Sequence, residues 1–266
     1  MPKKPIKPKD PLDRFYTNPE VAELCYNKLL PYITPTDLLI EPSGGNGSFF
    51  SLMRNPKIAY DLDPQHPDII KADFLQQEIP KNCIIIGNPP FGTRNKLSKA
   101  FIRHCIPHAK TIAFILPQVF QKETVQKVFP RQYHLVLDYT LPKNAFHLNG
   151  NEYSIPTTFQ IWSRTQSTVN LRKSVQPKQT TTDFIFTNNN PTHFIFGAAP
   201  NKVIKPEEVQ PNNRGYYIQS NVENIEEVFK NINWKSYGLS SVSGNVAWFS
   251  KQEIIDVYVI NNQKLQ

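Results

Sequence analysis

Four short apolar runs, each followed within three residues by an acid or by a glycine and an Asn-Pro pair, constrain the fold of this chain most. The runs are Leu38–Ile40, Ile58–Tyr60, Ile69-Ile70 and Cys83–Ile86. Runs of this length match strands that are buried on both faces, as in parallel sheets. The carboxyl ends of such strands share one edge of the sheet, and ligands bind in the crevice there. The polar residues after the runs are therefore predicted to lie together.

Segments with helical periodicity separate the apolar runs. A fifth strand is predicted over Thr111–Leu116, and His134–Tyr139 with Thr158–Trp162 are predicted to close the sheet as a pair. Short strands that alternate with helices predict an α/β fold with a mostly parallel sheet covered on both faces. The predicted helices are Pro19–Leu30, Ser48–Met53, Leu97–Ile106 and Gln121–Val128.

The sequence divides into four predicted regions. Residues 1–12 are rich in proline and lysine and predict a flexible basic arm, and residues 13–163 hold the sheet. Residues 164–182 are polar and lack periodicity, which predicts a linker. Residues 183–266 show short strands and two helical stretches, which predict a small α+β module.

Charge and cysteine content indicate the partner and the compartment. The formal net charge is +8 and the isoelectric point about 9.3, which fits a partner that carries phosphates. A basic protein without a nucleic-acid role is the alternative. Three cysteines in apolar stretches, Cys25, Cys83 and Cys105, predict reduced core residues of an intracellular protein. The sequence shows neither a membrane span nor a secretory signal.

A glycine-rich loop follows the first apolar run. Its glycines allow the backbone to turn sharply and to approach a ligand closely. The spacing differs from that of phosphate-binding loops, and no lysine follows, which argues against a triphosphate ligand. An acid before the glycines suits a ligand with a positively charged amino-acid head. The loop comprises Glu41, Pro42, Ser43, Gly44, Gly45, Asn46 and Gly47.

Two acids follow the next apolar runs. Asp61 is placed at the end of the second run to accept hydrogen bonds from both hydroxyls of a ribose. Asp73 is a candidate acceptor for an adenine amino group, with Phe74 against the ring. Each motif alone is equally compatible with a turn, a helix cap or a surface acid. Three motifs in order after consecutive strands favour one nucleoside site.

The fourth apolar run leads into Asn88-Pro89-Pro90-Phe91. The amino nitrogen of a nucleobase is a weak nucleophile because its lone pair is delocalised into the ring. The side-chain oxygen of Asn88 and the carbonyl of Pro89 are predicted to accept its two hydrogens and to draw the nitrogen towards tetrahedral geometry. The prolines stiffen the loop, and Phe91 can stack on the base. The alternative is a rigid Pro-Pro turn with an Asn cap.

No competing chemistry assembles from the sequence. A G-x-S-x-G nucleophile motif and a cysteine pair at zinc spacing are both absent. His104 and His108 lie four residues apart, but no further ligand completes a metal set. We therefore predict no metal site.

The order of these motifs resembles that of the class I S-adenosylmethionine-dependent methyltransferases, and within them the N6-adenine methyltransferases of the gamma motif order. The resemblance covers about residues 13–163, and Asn88–Phe91 match the family's signature loop. It implies a Rossmann-like sheet with an antiparallel last strand, S-adenosylmethionine as cofactor and methyl transfer to N6 of adenine. Phe15–Val21 resembles the first family motif, which implies that Thr17 helps to seat the methionine part. The implied cofactor contacts are Thr17, Glu41, Pro42, Ser43, Gly44, Gly45, Asn46, Gly47, Asp61, Asp73, Phe74 and Asn88.

The segment from Ala113 through Trp162 is also similar to a group of predicted bacterial, phage and giant-virus adenine methylases. That similarity makes Phe146 a candidate to stack on the target base. It extends loosely to the C-terminal module, where Lys202, Lys205 and Arg214 are candidate nucleic-acid contacts. The aromatic residues of the module are equally expected to form its own core.

The first hypothesis is a site-specific DNA adenine-N6 methyltransferase without an attached nuclease. An RNA adenine-N6 methyltransferase shares the same loop and chemistry, and only charge and resemblance favour DNA. A protein-glutamine methyltransferase uses a similar loop on a side-chain amide, but the basic charge and the extra module argue against it. A non-catalytic partner subunit is the last alternative, and the intact loops argue against that.

Overall fold

The computed structural model describes residues 15–148, 151–164, 169–173, 178–237 and 248–262. The chain forms two compact units, Met1–Lys173 and Ser174–Gln266, and each is described by itself. The predicted basic arm over residues 1–12 lies outside the described residues.

The first unit contains ten strands and three α-helices among its described residues. The strands are β1 Tyr16–Thr17, β2 Leu39–Glu41, β3 Lys57–Asp61, β4 Ile70–Lys71, β5 Ile84–Gly87, β6 Thr111–Pro117, β7 His134–Thr140, β8 Phe146–Leu148, β9 Asn151–Tyr153 and β10 Thr157–Ser163. The helices are α1 Pro19–Leu29, α2 Lys96–Cys105 and α3 Glu123–Gln126.

Seven of the strands form one sheet in the order β4-β3-β2-β5-β6-β10-β7. The pairs among β2 to β6 are parallel, whereas β10 runs antiparallel to both β6 and β7. The direction of winding reverses between β2 and β5, which is where ligands bind in sheets of this type. The predicted fold class, a mostly parallel Rossmann-like sheet with an antiparallel last strand, is confirmed.

Helices cover both faces of this sheet, so the central strands β5 and β6 are buried throughout. On one face, α1 packs Val21, Cys25 and Leu29 into the core. On the other face, α2 contributes Phe101 and Ile102 to a second cluster. Parallel strands that are buried on both faces consist of continuous apolar runs, so their positions could be predicted from the sequence.

The three cysteines are free and buried, as the sequence predicted. Burial raises the pKa of the Cys25, Cys83 and Cys105 thiols above their ordinary value. Thiols of this kind stay protonated and pack as small apolar side chains.

Two predicted helices are shorter in the structure. The prediction of a helix over Ser48–Met53 is wrong, because only a single 3-10 turn, Phe50–Leu52, is present. Pro56 favours extended backbone just before it, and β3 begins immediately afterwards, so the chain has no length for an α-helix. The helix predicted over Gln121–Val128 is limited to α3.

A three-stranded sheet in the order β1-β8-β9 lies outside the main sheet. Its register sets Tyr16 opposite His147 and Thr17 opposite Phe146. The sequence reading assigned no structure to β8 and β9. This pairing ties the first motif, near the N-terminus, to the segment between β7 and β10.

The second unit is a small α+β module, as predicted. Its core clusters around Phe184, Ile195, Ile218, Phe229 and Tyr258. The sheet order is β11-β14-β12-β13, and all three pairs are antiparallel. The elements are β11 Phe184–Phe186, β12 His193–Phe196, β13 Ala199–Ile204, β14 Gly215–Ser220, α4 Ile225–Asn231 and α5 Lys251–Asn262.

The segment predicted as a linker, residues 164–182, packs at both of its described ends. Arg172 lies over the Trp162 ring of the first unit, with 5.0 Å between the guanidinium carbon and the ring centroid. The backbone N–H of Gln179 donates to Asp256 Oδ1 of the second unit at 3.0 Å.

Across the described ranges, no helix combines the length and the apolar character that a membrane span needs.

Candidate active site

A cleft of about 280 Å³ opens in the first unit, where β2, β3 and β5 end. Residues from every motif of the sequence analysis contribute to its walls, so the two predicted halves of the site meet in one place. Gly47 and Phe146 are not among the residues that line it. The predicted residues that do line it are Thr17, Glu41, Pro42, Ser43, Gly44, Gly45, Asn46, Asp61, Asp73, Phe74, Asn88, Pro89, Pro90 and Phe91.

The glycine loop and Asp61 hold each other in position. Gly45 has a φ of +52°, in the left-handed region that favours glycine. Its N–H donates to Asp61 Oδ2 at 2.8 Å, and the N–H of Asp63 donates to Asp61 Oδ1 at 2.8 Å. Each carboxylate oxygen keeps a second lone pair. The carboxylate is therefore fixed and can still accept hydroxyl groups from a ligand.

Gly47 and Asn46 shape the loop. Gly47 has a φ of +80°, and a Cβ at this position would lie 2.8 Å from the His66 ring. Asn46 Oδ1 accepts from the Ser48 hydroxyl at 2.7 Å, which closes a local turn. Gly47 does not line the cleft, and its role is to give the backbone this turn beside His66.

Glu41 is a buried acid with an open hydrogen-bonding position. Its residue exposure is 2%, and its Oε2 has no donor among the described residues. Burial raises the pKa of its carboxyl well above the ordinary value of 4.5, with a hydrogen bond from the Phe50 backbone opposing and the nearby charge of Asp61 adding to the rise. A cationic or hydrogen-bonding ligand that supplied a partner would oppose this rise and favour the charged carboxylate.

Asp73 and Phe74 occupy opposite environments at the next strand end. Asp73 is exposed and caps a 3-10 turn, with Oδ1 accepting from the Leu75 N–H at 3.0 Å. Phe74 is buried and stacks on Phe101 with 5.5 Å between ring centroids and 26° between planes. Its ring therefore closes the floor of the cleft and offers a ligand only a small part of its surface.

Asn88 presents an unpartnered oxygen. Its side-chain nitrogen lies 2.9 Å from the Phe15 carbonyl. Because a carbonyl can only accept, the contacting atom is the amide nitrogen, and this fixes the orientation of the whole group. The Oδ1 atom is buried, and no donor reaches it from the described part of the chain. The loop thus holds one acceptor in place at the cleft.

Two serine hydroxyls fasten the Asn88–Phe91 loop to its surroundings. The Ser43 Oγ of the glycine loop donates to the Asn88 carbonyl at 3.0 Å. The Ser98 Oγ of α2 donates to the Pro90 carbonyl at 3.2 Å. The first of these bonds joins the two halves of the site directly.

Thr17 lies in β1 at the wall of the cleft. It is buried, and its carbonyl lies 3.0 Å from the Ser48 Oγ, so it shares the single hydroxyl hydrogen of Ser48 with Asn46 Oδ1. The next residue, Asn18, caps α1 by accepting from the Glu20 N–H at 3.2 Å. The first motif is therefore connected both to the glycine loop and to the start of α1.

Phe146 does not face the cleft, so its predicted place against a target base needs correction. Its side chain is fully buried and meets Phe91 edge-on, with 6.3 Å between ring centroids and 83° between planes. It also packs against Phe15 at 6.4 Å. The pairing of β8 with β1 turns Phe146 into the core, where it supports Phe91 from behind.

Two exposed leucines are among the cleft residues that sequence reasoning missed. Leu62 is 53% exposed and Leu97 is 38% exposed, although both are large aliphatic side chains, and both line the cleft. The position of Leu62, directly after the candidate ribose acid Asp61, was a signal available in the sequence. Leu97 gave only helical periodicity and carried no comparable signal.

No known protein-family model matches the sequence, and no curated protein matches it significantly. Solved structures with a similar fold include a Pyrococcus horikoshii protein proposed to be an RNA methyltransferase, at 15% identity and a TM-score of 0.45, over 58% of this chain and 90% of that one. A type I restriction-modification methyltransferase subunit from Streptococcus thermophilus is 21% identical, with a TM-score of 0.43, over 57% of this chain and 45% of the subunit. A 23S rRNA methyltransferase is 16% identical, with a TM-score of 0.41, over 56% of this chain and 69% of its own length. Similarity at this level concerns the fold alone.

The candidate nucleic-acid residues of the second unit have different surroundings. Lys202 is exposed, with its ammonium 4.8 Å from the centroid of the Phe196 ring. Lys205 is engaged, because its Nζ lies 3.1 Å from Glu226 Oε1. Arg214 is exposed and borders a shallow cavity. The charge of Lys205 is therefore partly neutralised, unlike that of Arg214.

Metal-ligating residues do not cluster in the described part of the chain, where no group of three His, Cys, Asp or Glu side chains comes together. His104 instead packs edge-on against Phe74 at 5.1 Å, and its Nε2 lies 3.0 Å from the Gln77 carbonyl.

Proposed function

We propose that this chain is an S-adenosylmethionine-dependent methyltransferase that methylates N6 of adenine at specific sites in nucleic acid, with DNA as the preferred substrate. The observation that carries the proposal is Asn88 Oδ1, a buried acceptor without a donor on a rigid loop at the cleft. Leaving such an acceptor unsatisfied costs free energy, which a ligand amino group would recover. The loop sequence Asn-Pro-Pro-Phe is the one that the family resemblance associates with this chemistry.

The residues of the cleft fit the proposed cofactor. The open Oε2 of Glu41 suits its ammonium group, and Thr17 lies in the same wall. Asp61 retains lone pairs for the ribose hydroxyls, and Asp73 is the candidate acceptor for the adenine amino group. The exposed Leu62 offers an apolar surface for the adenine ring. When bound, the cofactor supplies a sulfonium methyl group for transfer to a nitrogen, with release of a proton and a neutral thioether.

The Asn88–Phe91 loop positions the target amino group. Asn88 Oδ1 accepts one of its hydrogens, and the Pro89 carbonyl accepts the other. Both acceptors are held before the substrate arrives, Asn88 through Phe15 and the loop backbone through Ser43 and Ser98. Acceptors fixed in advance stabilise the transition state without reorganisation.

Phe91 supplies a surface for the base. It lines the cleft, and Phe146 packs against it from behind. In a duplex, the adenine has to leave the base stack to reach this surface. The formal charge of +8 supports a polyanionic substrate over a protein side-chain amide.

The test uses the full chain with tritiated S-adenosylmethionine and three substrates side by side: duplex DNA, single-stranded DNA and RNA of the same sequence. We expect most label in duplex DNA, and digestion to nucleosides followed by mass spectrometry should identify N6-methyladenine. Label in RNA alone would show that RNA is the substrate and not DNA, and the proposed methylation of adenine N6 would still stand. Label only in protein, or methylcytosine in place of methyladenine, would overturn the proposal.

A further inference from the structure

The part of the chain that carries the Asn88–Phe91 loop is free of acids. Between Glu78 and Glu123 there is no Asp or Glu, and this is the longest such stretch of the sequence. The basic residues within it are Lys81, Arg94, Lys96, Lys99, Arg103, Lys110 and Lys122. A segment with one sign of charge creates a local field that attracts polyanions.

Three of these cations share one face of α2. Lys96, Lys99 and Arg103 are spaced by three and four residues, which aligns them on the helix surface. Phe101 and Ile102 occupy the opposite, buried side. We call Lys96, Lys99 and Arg103 the α2 basic face.

The α2 basic face is not neutralised by the protein. Within the described residues, none of the three cations has an acidic partner at ion-pair distance. Lys110 of the same stretch does pair, with 2.6 Å between its Nζ and Asp37 Oδ1. Charges that the fold leaves unpaired on one helix face are available to an external partner.

The helix also borders the cleft. Leu97 and Phe101 of α2 line it, and the Ser98 hydroxyl donates to the Pro90 carbonyl at 3.2 Å. The α2 basic face therefore starts beside the loop to which we assign the target amino group.

We propose that the α2 basic face binds consecutive backbone phosphates of the strand that carries the target adenine. This inference rests on the proposed function and adds the contact that positions the substrate strand. At 1.5 Å of rise per residue, Lys96 and Arg103 lie about 10 Å apart along the helix, which matches about three nucleotides of one strand. Phosphate contacts fix the register of a strand without reading its sequence, and DNA and RNA share this chemistry.

The test compares two triple variants that lose the same charge. The first is Lys96→Gln, Lys99→Gln and Arg103→Gln. The matched control is Arg54→Gln, Lys81→Gln and Arg131→Gln, whose exposed side chains lie just before β3, β5 and β7, at the opposite edge of the sheet. Fluorescein-labelled single-stranded DNA, RNA and duplex DNA are titrated by anisotropy over a series of salt concentrations. Thermal unfolding and S-adenosylmethionine binding report whether each variant is folded.

The slope of log affinity against log salt is negative, and for the α2 variant we expect its magnitude to fall by about two to three. The KM for the nucleic acid should rise while kcat is retained. The control variant should change the slope by less than about one. If the α2 variant fails to fold, single Lys96→Gln and Arg103→Gln variants should each reduce the slope by about one.

Equal effects of the two triple variants, or single variants with the same salt slope as the parent protein, would overturn the α2 assignment and leave the proposed function standing. If the parent protein binds none of the three probes and transfers no methyl group to them, the proposed function fails first. The titrations with DNA and with RNA show which of the two nucleic acids supplies the phosphates.

Discussion

One polar cluster in the first unit and one in the second unit differ in whether their hydrogen-bonding groups are paired. In the cleft of the first unit, Glu41 Oε2 and Asn88 Oδ1 are buried without a donor among the described residues. In the second unit, His193, Lys205 and Glu226 satisfy one another, with 3.1 Å from Glu226 Oε1 to both His193 Nε2 and Lys205 Nζ. The first arrangement costs stability, whereas the second contributes a little of it.

This difference separates a site made for a ligand from a polar cluster made for the fold. Buried polar atoms in native proteins are nearly always paired, so an open pair of atoms in one cleft indicates that a partner comes from outside. Substitutions in the cleft should therefore change binding and transfer more than stability. Substitutions in the His193 cluster should change stability and leave the cleft unaffected.

The largest effect is expected from Asn88→Ala. Without the fixed acceptor, methyl transfer should fall by about a hundredfold or more, because the amino group loses its preorganised partner. The cofactor Kd should stay within about fivefold, since a neutral hydrogen bond contributes about 1 kcal/mol. Single-turnover transfer and calorimetry measure the two quantities. Asn88→Asp keeps an acceptor but cannot donate to the Phe15 carbonyl. Its transfer rate should therefore lie between those of the parent protein and Asn88→Ala. Transfer by Asn88→Ala at the parent rate would contradict the assignment of Asn88 as the acceptor for the amino group.

Asp61→Ala should have the next largest effect and act on binding. The carboxylate is fixed by two backbone N–H groups and is available for the ribose, so its loss should weaken cofactor affinity by about 10- to 100-fold, as for hydrogen bonds to a charged group. Calorimetry with the cofactor measures the change. Asp68→Ala, an exposed acid after the same strand, is the matched control and should leave affinity unchanged. Equal losses in the two variants would count against the ribose assignment.

The strands and the cleft were predictable because their signals are local. A buried parallel strand requires consecutive apolar residues, and a tight turn at its end requires residues such as Gly45, whose φ of +52° disfavours a side chain. Asp61 and Asn88 directly follow such strands. Their meeting in one cleft is a consequence of parallel topology, which brings the carboxyl ends of the strands together.

The roles of Phe146, Phe74 and Lys205 were not predictable in the same way. The pairing of β1 with β8 buries Phe146, and these strands are distant in the sequence. Phe74 is covered by Phe101, and Lys205 is engaged by Glu226, again through contacts between separate elements. The sequence shows that such a residue is aromatic or charged, but only tertiary packing decides which neighbour it meets.

Glu41→Gln should produce a smaller effect that depends on pH. Burial raises the pKa of Glu41 in the empty protein, so its contribution to stability is present below the ordinary value of 4.5 and is lost as pH rises through the raised value. A bound ammonium group would stabilise the charged carboxylate, so cofactor binding should release a proton from the parent protein and tighten as pH rises. Glu41→Gln should bind about tenfold more weakly and lose the additional proton release. Calorimetry in two buffers of different ionisation enthalpy counts the protons, and equal counts for both proteins would contradict the assignment.

The smallest effect is expected from Glu226→Gln in the second unit. A hydrogen bond from Lys205 holds the pKa of Glu226 below its ordinary value, so its contribution to stability is present above 4.5 and is lost as pH falls through the lowered value. Because Glu226 is partly exposed, the loss at pH 7 should be below about 1 kcal/mol, measured by urea unfolding, and should disappear in acid. Burial and the charge of Lys205 already lower the pKa of His193, and removal of Glu226 should lower it further in an NMR titration. Cofactor affinity should not change. A Glu226→Gln variant that bound the cofactor more weakly while His193 titrated as before would contradict the assignment of this cluster to the stability of the fold.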